Sequence, residues 1–139
     1  MEKEIKIKRK NHRAKTVINK NINKNNKNIS FFSDLHYCEY LDKNPDFRDY
    51  MEDYTLSINN FNSESFKHLF CVFDGHGGDE TAKLCVQKYP DIFSQCLSDN
   101  PFNYELALKK SFHMMDEEIE KTKSYEVGNT GTIVFINNN

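Results

Sequence analysis

Residues 69–83 read LFCVFDGHGGDETAK. An apolar run, Leu69 to Phe73, ends in Asp74-Gly75-His76-Gly77-Gly78, and helix-forming residues begin directly afterwards. The run is short, β-prone and closed by glycines, so it reads as a buried strand that turns through a loose loop into a helix. That turn delivers an acid and an imidazole, one glycine apart, to the end of a strand. A carboxylate there costs on the order of several kcal/mol to desolvate unless it is paired or binds a cation. Glycines on either side of His76 let the backbone turn sharply and present a carbonyl oxygen to a ligand. Hard divalent cations such as Mg²⁺ and Mn²⁺ take carboxylate, carbonyl and water oxygens, so Asp74 with the Gly75 carbonyl forms half of such a site. Taken alone, the five residues also read as a plain turn between strand and helix.

Upstream, FRDYMEDYTLSI (47–58) predicts a strand beginning near Arg48, NNFNSES (59–65) a hairpin loop, and FKHLFCVFD (66–74) the partner strand. Alternation along the first strand puts Arg48, Tyr50, Glu52 and Tyr54 on one face and Asp49, Met51 and Asp53 on the other. If the two strands pair, Asp74 returns beside Arg48 to Glu52. The sum is an acidic metal pocket with one guanidinium suited to bidentate phosphate binding. Glu52-Asp53 alone also reads as a solvated pair; its co-occurrence with Asp74 on a neighbouring strand shifts the balance towards a site. Beside a metal-ligating Asp, His76 becomes a candidate proton donor.

Downstream, DETAKLCVQKY (79–89) puts Ala82, Cys85 or Val86 and Tyr89 on one helical face, and Pro90 is expected to end that helix. In the next helix Asn100 is the expected cap and Pro101 the first helical residue. Its stripe of Leu108, Phe112, Met115 and Ile119 has core spacing, and DEEIEK (116–121) is a solvated face. GNTGTIVFI (128–136) predicts a turn into one more buried strand, which wants neighbours on both sides. Before the hairpin, ISFFSDLHYCEY (29–40) is aromatic-rich and β-prone and ends in the turn-like DKNPD.

The 139 residues suit one domain, and the formal charge of −2 conceals two unlike parts. Residues 1–29 hold ten Lys or Arg against two Glu, whereas residues 30–139 hold nine against nineteen acids. Residues 1–28 therefore read as a basic, Asn/Lys-rich, disordered tail. Sharper readings of the tail are a nuclear-import patch at KIKRKNHRAK or contact with an acidic partner. No aromatic residue interleaves with its charges, which argues against nucleic acid as the partner. Cys38, Cys71, Cys85 and Cys96 form no paired framework, and Cys71 and Cys85 sit within apolar patterns, favouring a reducing compartment. No run approaches a membrane span and the N-terminus lacks a signal peptide's apolar region. The expectation is a soluble intracellular protein, cytoplasmic or nuclear, with no membrane partner.

Three segments in order resemble the metal-dependent protein phosphatase (PPM) family, the type 2C serine/threonine phosphatases. RDYMED is similar to the family's R-x-x-M-E-D segment, CVFDGHGG to its V-F-D-G-H-G-G segment, and GNTGTIVFI to its G-[ST]-T-A strand, from which Gly128-Asn129-Thr130-Gly131 departs mildly. The resemblance covers roughly residues 30–139 and makes residues 29–139 the N-terminal part of such a phosphatase domain. It implies an α+β fold: an antiparallel β-sandwich flanked by helices in α-β-β-α layers, incomplete in this chain. By the same resemblance the cofactors are two Mn²⁺ or Mg²⁺ ions and the substrate is a phosphoprotein. Arg48 would hold the phosphate. Glu52 would ligate a metal with Asp53 as a supporting acid, Asp74 would bridge both ions, and the Gly75 carbonyl would complete one coordination shell. His76 would protonate the leaving alcohol.

The implied function is hydrolysis of phosphoserine and phosphothreonine by two-metal activation of water. The family's remaining metal-binding aspartates are expected downstream of Asn139, so the isolated chain is expected to be inactive and to expose unpaired strand edges. The competing class is a catalytically inactive phosphatase-like module that binds or regulates a partner.

Overall fold

The computed structural model describes residue 35 and residues 37–44, 46–123 and 126–138. The expected tail, residues 1–28, and the start of the β-prone segment at 29–34 lie outside the described residues. Three strands, β1 (Asp53–Asn59), β2 (Lys67–His76) and β3 (Gly128–Asn137), form one antiparallel sheet in the order β1-β2-β3. Two helices, α1 (Glu80–Asp99) and α2 (Tyr104–Glu120), connect β2 to β3. This is an α+β arrangement, and the described residues supply one sheet and one helical layer of the expected four.

The β1–β2 hairpin forms because the two alternations agree. Leu56 faces Cys71, Ile58 faces Leu69 and Tyr54 faces Phe73, which puts all six on one side of the sheet. Asn60 and Asn62 supply the left-handed backbone of the connection, with φ of 58° and 55°. Phe61 between them turns inward, stacking on Phe93 at 5.8 Å between ring centres. Ile133 and Phe135 of β3 extend the same apolar face. The helices lie over this face, and Leu69, Phe73, Ala82, Tyr89 and Phe93 are buried between them and the strands. Cys71, Cys85 and Cys96 are buried as free thiols, and burial pushes Cys71 up to about 12.

Three sequence expectations need correction. The first strand starts at Asp53, not near Arg48, because the ladder with β2 begins at the pair Asp53–Asp74; the face alternation drawn for residues 48–52 therefore does not apply. Pro90 lies inside α1. An internal proline costs ~3 kcal/mol, but the stripe of Ala82, Cys85, Tyr89, Phe93 and Cys96 crosses it, and each large buried side chain returns about 2 kcal/mol. Asn100 ends α1 rather than capping α2: its side-chain amide donates to the Cys96 carbonyl at 2.8 Å, and Asn103 caps α2 by accepting from the Leu106 N–H.

The expected core stripe of α2 is also rotated. Ala107, Ser111 and Met115 are the buried residues, while Phe112 is 39% exposed. Small residues at 107 and 111 let α2 approach α1. There the Tyr89 hydroxyl donates to Ser111 Oγ at 2.8 Å, which in turn donates to the Leu108 carbonyl. The strand predicted to want two neighbours, β3, has β2 alone beside it among the described residues. None of the described helices is long and apolar enough to cross a membrane.

Candidate active site

The site is built where β1 begins and β2 ends. Asp53 and Asp74 are the last facing pair of the hairpin, so their carboxylates stand on one sheet face, the one away from the helices. Before β1 the chain does not continue as a strand but folds into a loop that ties itself. Asn44 adopts φ 55°, its N–H donates to Asp42 Oδ1 at 2.9 Å, and its carbonyl accepts from the Phe47 and Arg48 N–H groups. Lys43 Nζ closes the loop on the Asp49 carbonyl at 3.0 Å. Between this loop and the hairpin lies an open cleft of about 240 Å³.

Arg48, Glu52, Asp53, Asp74 and Gly75 all line that cleft, with Lys43 as a second cation. The Arg48 guanidinium is exposed and makes no hydrogen bond or ion pair among the described residues. Glu52 is engaged twice by the glycine loop: its Oε1 accepts from the Gly78 N–H at 2.7 Å and its carbonyl from the Gly75 N–H at 3.2 Å. Gly75 is buried, and a Cβ there would come within 2.6 Å of the Glu52 carbonyl oxygen. His76 follows at the end of β2 outside the cleft lining, its ring so close over Gly128 that a Cβ there would meet Nε2 at 2.5 Å.

The electrostatics match the placement. Partial burial raises the Asp53 carboxyl above its usual range. The charge of Asp74, a hydrogen bond to Asp74 and the charge of Glu52 push the same way, against Arg48. Asp74 itself is exposed, so the desolvation cost expected from the sequence does not arise there. Carboxylates crowded beside a carbonyl are hard oxygen donors, which fit Mg²⁺ or Mn²⁺ in kind. In number they fall short: among the described residues no group of three or more His, Cys, Asp or Glu side chains is set to hold a metal ion.

Sequence reasoning missed one polar network. Tyr54 Oη donates to Asp79 Oδ2 at 2.8 Å, and Lys83 Nζ pairs with the same carboxylate at 2.8 Å. The bond to Lys83 and then that to Tyr54 hold the Asp79 carboxyl below its usual range, and the Tyr54 phenol is raised in turn. The partners are 25 residues apart, and no periodicity joins them.

Comparison with known proteins agrees with this picture. Residues 40–139 match the family model described as protein phosphatase 2C. Protein phosphatase 2C homolog 1 of Saccharomyces cerevisiae is 40% identical over 90 residues, covering 64% of this chain and 31% of that protein. Protein phosphatase 2C homolog 2 of Schizosaccharomyces pombe is 35% identical over 85 residues, covering 58% of this chain and 23% of that protein. The chain thus spans about a quarter to a third of these relatives. A solved structure of a C. elegans sex determining protein superposes with a TM-score of 0.55 over 65% of this chain and 24% of that one. At 24% identity that likeness shows the fold alone.

Proposed function

We propose a phosphatase role from one premise: the chain belongs to the protein phosphatase 2C family. The whole protein hydrolyses phosphoserine and phosphothreonine in phosphoproteins, and this chain carries the phosphate-binding side of its active site. One observation carries the reading. The exposed Arg48 guanidinium, without a hydrogen-bond or ion-pair partner among the described residues, shares a cleft with the facing carboxylates of Asp53 and Asp74.

In this role Arg48 binds two phosphoryl oxygens through its planar fork and orients the phosphorus towards the acidic end of the cleft. Asp74 and the Gly75 carbonyl, with Glu52 and Asp53 beside them, would hold Mn²⁺ or Mg²⁺. Two such ions, when bound, make water nucleophilic at neutral pH and stabilise the phosphoryl charge. Glu52 keeps the glycine loop shut against β1 through Gly75 and Gly78. His76, two residues beyond Asp74 on β2, is the candidate to give its proton to the departing alcohol oxygen.

The test is Asp74→Asn in the whole protein, of which this chain is part, assayed on a phosphothreonine peptide with Mn²⁺. Loss of turnover with the melting temperature retained supports the reading; unchanged turnover sinks it. The short ligand count among the described residues supports a second reading, a phosphatase-like module that binds a phosphoprotein without hydrolysing it. Binding of that peptide with no phosphate released by the wild-type protein selects the second.

A further inference from the structure

Asp79 occupies the N-cap position of α1, where an aspartate ordinarily accepts a hydrogen bond from its own helix, worth about 1 kcal/mol. Here its side chain makes no cap bond. The carboxylate reaches across to β1 instead, accepting from Tyr54 Oη and pairing with Lys83, whose ammonium lies 5.9 Å from the centre of the Tyr54 ring. Asp79 also directly follows the two-glycine loop that leaves β2. Gly77 and Gly78 sit at φ of 74° and 146°, so the loop has little stiffness of its own. Its near end is fixed by the β2–β3 ladder, which runs on to His76 opposite Gly128. Its far end is fixed by Gly78 on Glu52 and by Asp79 on Tyr54.

We propose that Tyr54 and Asp79 are positioning residues whose hydrogen bond pins the far end of the glycine loop to β1 and so keeps Gly78 on Glu52, whose side chain lines the cleft beside Asp53 and Asp74. The placement explains why a good capping residue leaves its helix uncapped. Both anchors come from one short stretch: Glu52 immediately precedes β1 and Tyr54 is its second residue. The tethering follows from the contacts; its consequence for turnover rests on the phosphatase reading above.

The experiment measures amide exchange at Gly78 in the purified protein, with Tyr54→Phe as the principal variant. Removing a hydrogen bond to a charged acceptor is expected to speed Gly78 exchange roughly tenfold, with sheet and α2 amides unaffected. Asp79→Ala is expected to do the same and Asp79→Asn, which keeps an acceptor for Tyr54, to restore most of the protection. Glu105→Ala, which breaks a distant pair with Lys109, is expected to leave Gly78 alone. In a peptide assay Tyr54→Phe lowers kcat severalfold at constant KM. Unchanged Gly78 exchange in Tyr54→Phe overturns the proposal whatever the activity does. Faster exchange throughout the domain overturns it too, because the residue would then be merely stabilising. A whole protein without turnover defeats the phosphatase reading and leaves the exchange result to decide this one.

Discussion

Asp53 and Asp74 face each other directly across β1 and β2 on the side of the sheet away from the helices. Like charges opposed in this way destabilise a hairpin by roughly 0.5 kcal/mol, and partial burial with the Asp74 charge raises the Asp53 carboxyl accordingly. A site that opposes two carboxylates gives up stability until a cation relieves it. Asp53→Asn is therefore expected to raise the melting temperature of the metal-free protein by about 2 °C. Added Mn²⁺ should then stabilise the wild type more than the variant. Thermal melts with and without Mn²⁺ check both parts; a variant that melts lower than wild type in chelator contradicts this account.

The exposed Arg48 side chain makes no hydrogen bond or ion pair among the described residues and acts on Asp53 only through its charge. Arg48→Ala should leave the melting temperature unchanged. Affinity for inorganic phosphate should fall about tenfold or more, the cost of a lost charged hydrogen-bonding pair. Arg48→Lys should recover only part of the loss, because an ammonium cannot make the bidentate fork. Calorimetric titration with phosphate reads the affinities. Equal affinity in wild type and Arg48→Ala would remove Arg48 from the site.

The hairpin was legible in the sequence because two period-2 patterns, Tyr54-Leu56-Ile58 and Leu69-Cys71-Phe73, fit one register, with asparagines suited to the turn between them. That register by itself brings Asp74 to Asp53, which is why the cleft could be drawn before its geometry was known. The start of β1 was not legible. On paper the alternation runs back to Arg48, but the partner strand ends its pairing with β1 at Asp74, and the Asn44 turn takes the chain away. Pro90 and Asn100 misled for the opposite reason: their local propensities are real, yet the Tyr89–Phe93 stripe of α1 outweighs the first. The second serves the helix before it rather than the one after. The Tyr54–Asp79 bond joins residues with no shared pattern, so only the fold reveals it.

Glu118 ties α2 to α1. It accepts from Lys88 Nζ at 2.6 Å and also pairs with Lys121; the bond to Lys121 and then that to Lys88 draw its carboxyl down to about 2. A carboxylate lowered on folding contributes stability above its unfolded value, about 4.5, and loses it as pH falls towards about 2. Lys88→Met is thus expected to melt below wild type at neutral pH, with the gap closing through that acid window. Because the pair lies near the surface, high salt should narrow the gap as well. A gap that persists below the window would assign the effect to packing of the Lys88 stem.

Two glycines separate crowding by backbone from crowding by a movable ring. A Cβ on Gly75 would stand 2.6 Å from the Glu52 carbonyl oxygen, which accepts from the Gly75 N–H, and 3.0 Å from the carbonyl of Gly78, whose own N–H is held by Glu52. Nothing there can yield cheaply, so Gly75→Ala should cost about 2–3 kcal/mol and loosen the cleft with it. On Gly131 the nearest atom is Phe112 Cε1 at 3.3 Å, the edge of a ring that is 39% exposed and free to swing by a few tenths of an ångström. The φ of Gly131 is not in the left-handed region, so alanine is unstrained and reduces the entropy of the unfolded chain. Gly131→Ala is expected to stabilise by about 0.5 kcal/mol. Urea unfolding of the two variants measures both costs, and their opposite signs are the prediction: a destabilised Gly131→Ala would mean that Phe112 is fixed in place despite its exposure.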